Sequence, residues 1–223
     1  MSRRRFDLVV FDLDGTLVEH DEPIWKTLHE RLGSDPDRRR QVIGDALAGR
    51  IDYAAWFAAD LDMLGRAGAT RDAILDVVRG LRATPGAVSL LHLLKGHGTR
   101  VAILSGAVDL LIDAHLPGVA FDAVHINRVR FDDAGRIAGG EATAYDLERK
   151  ADGLRALAHE FRVDLSRVAF VGNGDNDLEA AEAAGFAVAW RDAPAALRAV
   201  SDVYEPGPDL LDLVPHLIGH DPY

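Results

Sequence analysis

The run Leu8-Val9-Val10-Phe11 leads without a break into Asp12-Leu13-Asp14-Gly15-Thr16. Four consecutive apolar residues predict a strand buried on both faces, as central strands of a parallel sheet are. Such a strand ends at the crevice where open α/β sheets bind their ligands. Two carboxylates, two positions apart, therefore arrive at that crevice. An aspartate there can attack phosphorus, and its neighbour can move the proton. The same five residues also suit an Asx-type turn, with Asp and Gly serving local geometry alone.

Beyond the pentapeptide the period changes. From 18 to 84 the apolar residues recur at helical spacing, and nothing alternates like a strand. Ile24, Trp25, Leu28 and Leu32 form one stripe, stopped by Gly33. Tyr53, Trp56, Phe57, Leu61 and Leu64 form a second, and Ile74, Val77, Val78 and Leu81 a third, with Thr70 as its N-cap. Pro85-Gly86 then punctuates the chain, and helices begin to alternate with short apolar strands at 101–104, 168–171 and 186–189. Residues 108–116 read as a helix. Val124 to Ile137, with Asp132-Asp133-Ala134-Gly135 in its middle, reads as a hairpin. The expected fold is a Rossmann-like, doubly wound, mostly parallel α/β sheet formed by residues 1–17 and 85–223. A small helical cap, residues 18–84, is inserted after the first strand.

Composition narrows the function. The chain of 223 residues has no cysteine, which excludes disulfides, thiolate metal sites and cysteine nucleophiles and fits a reducing compartment. A formal charge of −11 argues against a nucleic-acid partner. No apolar stretch reaches membrane-spanning length, and the run behind the basic Met1-Ser2-Arg3-Arg4-Arg5 is too short for a signal peptide, so a cytoplasmic location is expected. No Gly-x-Gly-x-x-Gly follows the first strand, which excludes a dinucleotide-binding dehydrogenase.

Three further groups carry chemistry. Ser105-Gly106 follows the strand at 101–104, where a hydroxyl and nearby N–H groups can meet a phosphate oxygen. The same serine also suits a helix N-cap. Gly172-Asn173-Gly174-Asp175-Asn176-Asp177 follows the strand at 168–171 and offers only oxygen ligands, which suit Mg²⁺ rather than Zn²⁺. An Asn/Asp-Gly turn capping a helix uses the same residues. Lys150 opens the helix before that strand and either reaches the crevice or lies solvated on the surface. The nine histidines are scattered, and His20, close to Asp12 and Asp14 in the chain, either touches a substrate or stands exposed on its loop.

Taken in order, these pieces resemble the haloacid dehalogenase superfamily, and within it the phosphoserine phosphatase type. Asp12, Asp14 and Thr16 match its first motif, Ser105 its second, Lys150 its third, and Gly172, Gly174, Asn176 and Asp177 its fourth. The resemblance implies a Mg²⁺-dependent phosphatase of a small phosphorylated metabolite, monomeric or homodimeric, working through an aspartyl-phosphate. Asp12 would be the nucleophile and Asp14 the acid and base. Ser105 and Lys150 would clamp the phosphoryl oxygens. Asp12, Asp14 (through its carbonyl), Asn173 and Asp177 would hold the metal. Asp21, Glu22, Gly106 and Asn176 would bind substrate.

Two departures stand out. Asn173 occupies a position where the family usually has a metal-binding aspartate. The family's cap arginine, which holds a substrate carboxylate, falls in register on Ala58, with Arg50 and Arg66 outside it. Without that arginine a serine carboxylate lacks a bidentate partner, which speaks against phosphoserine as the substrate. Trp56 and Phe57 line an apolar pocket or pack the cap interior. A phosphotransferase, or a member that binds a phosphorylated ligand without turnover, shares most of these features.

Overall fold

The computed structural model describes residues 4–146 and 149–218. Met1, Ser2 and Arg3 of the basic N-terminus lie outside the described residues. β1 (Leu8–Phe11) is the centre of a seven-stranded sheet. Its other strands are β4 (Arg100–Val108), β5 (Ala123–Phe131), β6 (Ile137–Glu141), β7 (Val168–Gly172), β8 (Phe186–Trp190) and β9 (Val203–Glu205), in the order β6-β5-β4-β1-β7-β8-β9. All pairings are parallel except β5 with β6. The mostly parallel, doubly wound sheet expected from the sequence is therefore present.

Alternate residues of β1 explain its unbroken apolar run. Val9 and Phe11 belong to one hydrophobic cluster, and Leu8 and Val10 to the cluster on the opposite face. The first face is covered by α5 (Ala87–Gly96) and α6 (Leu110–His115). The second is covered by α7 (Lys150–Phe161), α8 (Leu178–Ala183) and α9 (Ala195–Val200), through side chains such as Leu154, Leu157 and Leu197. Each such leucine contributes about 2 kcal/mol by leaving water.

Between β2 (Val18–Glu19) and β3 (Arg82–Ala83) lie α1 (Ile24–Arg31), α2 (Pro36–Leu47), α3 (Tyr53–Arg66) and α4 (Arg71–Arg79). β2 and β3 pair antiparallel, Val18 with Ala83 and Glu19 with Arg82. The segment 18–84 is thus not wholly helical, in contrast to the reading of its apolar pattern. Its two ends form a ribbon of two residues per strand, too short to display alternation. Thr70 caps α4 by accepting from the Ala73 N–H. Ile24, Leu28, Leu64, Ile74 and Val78 share the hydrophobic cluster of the sheet's first face, so the helical insert packs on the sheet rather than around a centre of its own.

A second difference concerns β4. The apolar run ends at Leu104, whereas the strand continues to Val108. Leu104 pairs with His125 and Val108 with Asn127, so three residues of β4 oppose one of β5. Ser105, Gly106 and Ala107 leave the ladder there. The helix expected from Val108 begins at Leu110. The Asp132–Gly135 hairpin turn is as predicted, closed by Asp132 Oδ1, which accepts from the Ala134 and Arg136 N–H groups. Among the described residues no helix is long and apolar enough to cross a membrane.

Candidate active site

The C-terminal ends of β1, β4 and β7 are neighbours in the sheet, and they bring the sequence motifs together. Asp12 follows β1 directly and is 5% exposed. Lys150, the first residue of α7, is fully buried and donates to Asp12 Oδ1 at 2.7 Å and to Asp177 Oδ1 at 2.6 Å. The other Asp177 oxygen accepts from the Asn173 and Gly174 N–H groups, each at 2.8 Å. Burial pushes the Asp12 carboxyl up to about 7, against the pull of Lys150. Burial also works against the Lys150 charge, but Asp12 and Asp177 outweigh it and hold the amine above its ordinary range. An unpaired ammonium at that depth would cost several kcal/mol, so the two carboxylates are what keep it there.

Asp14 is fixed from two sides. Its carboxylate accepts from the Ile24 N–H at 2.7 Å and meets His20 Nδ1 at 2.8 Å. Burial disfavours the charged His20 ring, but the Asp14 bond outweighs it and raises the histidine's pKa. Thr16 is buried and donates to Asn173 Oδ1 at 2.9 Å, tying the first loop to the last. Gly15 lies between them with φ +90°, and a Cβ there would collide with the Asn173 amide and crowd His20 Nε2. Only glycine fits that crossing. Ser105 is 1% exposed, its Oγ accepting from the Ala107 N–H at 3.2 Å.

These groups surround a cleft of about 600 Å³ that Asp12, Asp14, His20, Trp25, Ser105, Gly106, Asp146, Asn173 and Asn176 help to line. A larger concavity of about 1000 Å³, between α3 and the β5–β6 hairpin, contains none of the motif residues. Asp21 and Glu22, expected at the substrate, are not brought into the cleft. Both are exposed; Glu22 pairs with Lys26 at 2.7 Å, and Asp21 lines a separate depression with Arg82 and Arg191. The chain turns there so that the Ile24 N–H, not those carboxylates, meets Asp14. Asp177 is also displaced from its expected role, because it lies fully buried under Lys150 and the loop amides instead of facing the cleft.

Sequence reasoning missed Trp25 and Asp146. Trp25 donates its indole N–H to the Gly106 carbonyl at 2.8 Å. Asp146 accepts from Asn176 Nδ2 at 2.9 Å and lies so close over Gly106 that a Cβ there would collide with it. No local spacing marks either residue: Trp25 belongs to an apolar helical stripe, and Asp146 lies in the loop between β6 and α7.

Asp12, Asp14, Asn173 and Asp175 bring oxygen-bearing groups to the cleft lining. Among the described residues no three His, Cys, Asp or Glu side chains close around a point. That arrangement fits Mg²⁺, which takes one or two carboxylates and completes its shell with substrate phosphate and water. Asp12 and Asp177 against Lys150 leave one negative charge, which favours a cation there.

Several known proteins resemble this chain. A phosphoserine phosphatase of Lactococcus lactis subsp. lactis (strain IL1403) is 29% identical over 194 residues, which cover 87% of this chain and 88% of the relative. One from Streptomyces coelicolor is 32% identical over 223 residues, covering 98% of this chain and 52% of that longer protein. A solved structure, a phospho-aspartyl intermediate analogue of phosphoserine phosphatase, superposes with a TM-score of 0.72 at 22% identity, covering 96% of this chain and 100% of that one, and shows the common fold. Residues 6–185 match the model for haloacid dehalogenase-like hydrolases, and the chain belongs to that family.

Proposed function

We propose that this chain is a Mg²⁺-dependent phosphomonoesterase of the cytoplasm that hydrolyses a small phosphorylated metabolite through an aspartyl-phosphate on Asp12. The observation that carries the reading is the pairing of Lys150 with one oxygen of Asp12, which leaves the other for in-line attack beside a fixed Asp14. As the Asp12 oxygen bonds to phosphorus, the ester P–O bond breaks, and Asp14 gives its proton to the departing oxygen. Asp14 then takes a proton from the water that attacks the phosphorus, and Asp12 is released unchanged. Ser105, where β4 leaves the β4–β5 ladder, lines the cleft and would meet a phosphoryl oxygen. Asp12, Asn173 and the Asp14 carbonyl would hold Mg²⁺, whose charge offsets the repulsion between a carboxylate and a phosphate dianion.

Phosphoserine, the substrate named for the relatives, suits this cleft poorly. Among the described residues no arginine or lysine lines it. Ala58 faces the concavity between α3 and β6, while Arg50 pairs with Asp45 and Arg66 with Asp62 on the surface. The test is hydrolysis of an aryl phosphate with Mg²⁺ and with chelator. Asp12→Asn is expected to lower turnover by about 10⁴-fold or more, and trifluoroberyllate is expected to be trapped on Asp12. Turnover retained in that variant would sink the assignment.

A further inference from the structure

Beside the cleft lies a second cavity of about 70 Å³, room for about five water-sized groups. Its walls are the rings of Trp25, Tyr53, Trp56 and Phe57 and the carboxylates of Asp60 and Asp146. Trp25 and Asp146 belong to the cleft as well, so the cavity lies where the part of a substrate beyond its phosphorus extends. The rings meet edge to face, Trp25 with Phe57 at 5.6 Å and 82°, and Tyr53 with Trp56 at 6.3 Å and 70°.

Both carboxylates are held in place. Asp146 is fixed by Asn176. Asp60 is 5% exposed, and its Oδ1 lies 3.0 Å from His29 Nε2. His29 is itself oriented by Ser34 at 2.6 Å from Nδ1. Two carboxylates, Asp60 and Asp146, against the one histidine make this aromatic cavity suited to a cation. Aromatic rings attract a cation over their faces as well. Among the described residues neither the cavity nor the cleft has arginine or lysine on its walls, so a second anion on the substrate would meet no bidentate partner.

From these features we infer that the substrate is the phosphate monoester of an amino alcohol, its ammonium group seated among Trp25, Tyr53, Trp56 and Asp60 while its phosphorus meets Asp12. The inference rests on the phosphatase reading and supplies the leaving group: the amino alcohol departs with the proton given by Asp14 as the Asp12–phosphorus bond forms.

Calorimetry with non-hydrolysable phosphonates tests it separately from turnover. In Mg²⁺ buffer, 2-aminoethylphosphonate is expected to bind at least tenfold tighter than propylphosphonate, its uncharged isostere. It is also expected to bind at least tenfold tighter than 2-amino-3-phosphonopropionate, which adds a carboxylate. Trp56→Leu and Asp60→Asn are each expected to bring the first ratio towards one, a ratio taken within one preparation and so indifferent to the folded fraction. A wild-type ratio of one or less, or tighter binding of the carboxylated analogue, overturns the inference. Aryl phosphate hydrolysis measured in parallel separates the two readings. If hydrolysis is present and the ratio is one, the amino-alcohol assignment alone falls. If hydrolysis is absent and the ratio holds, the phosphatase reading alone falls.

Discussion

Asn173 brings a neutral amide to a point in the cleft shared with Asp12 and Asp14, and its carbonyl is already engaged by Thr16. Metal affinity at oxygen sites rises with the number of charged ligands. Asn173→Asp keeps the Thr16 bond and adds a charge, so the Mg²⁺ concentration for half-maximal activity is expected to fall about tenfold. A titration of rate against Mg²⁺ checks this, and a raised requirement would contradict the placement. His20 offers a pH test. Asp14 raises its pKa in the folded protein despite burial. The pair's stabilisation is therefore fully present below the ordinary histidine value of about 6.5 and is lost as pH rises through the folded value. In metal-free buffer, the Tm gap between wild type and His20→Ala is expected to be about 2 °C wider at pH 5.5 than at pH 9.

At the scale of elements, α3 lies directly on β6. A Cβ at Gly140 would come within 2.8 Å of both Leu61 and Phe57. The nearest contact is the Arg128 carbonyl oxygen of β5 at 2.5 Å, so Gly140→Ala must disturb the β5–β6 pairing as well as the helix and is expected to cost about 1–3 kcal/mol, read as a lower urea midpoint. The elements also show what the sequence could reveal. β1, β4 and β7 were legible because burial on both faces makes them continuously apolar. α4 was legible because one face is buried and the other exposed. α2 escaped periodicity because none of its residues is buried, so no stripe exists. Its start was nonetheless written in Asp35-Pro36, where Asp35 accepts from the Asp37 and Arg38 N–H groups and Pro36 occupies the first turn. β9, with three residues, left too little pattern to read. In the site, Asp12, Asp14 and Asn173 were legible from spacing along short loops. The Asp177–Lys150 pairing and the approach of Asp146 depend on tertiary packing, which local spacing does not encode.

For the molecule as a whole, the insert and the sheet behave as one packed body on one face of the fold, since their apolar residues share a cluster. The join at the cleft is polar. The Gly106 carbonyl accepts from Trp25 Nε1 at 2.8 Å and from Asn127 Nδ2 at 2.6 Å, and Asn127 also reaches the Tyr53 hydroxyl at 2.7 Å. α1, α3, β4 and β5 are thereby stitched at one carbonyl. Of the chain's three tryptophans, Trp190 is sealed in the sheet and Trp56 lies in the insert. Trp25 alone spans the stitch, with its ring forming a wall of the cleft. The protein thus carries an intrinsic optical gauge: inorganic phosphate with Mg²⁺ should dry that indole and shift its fluorescence to shorter wavelength, and Trp25→Phe should abolish the signal.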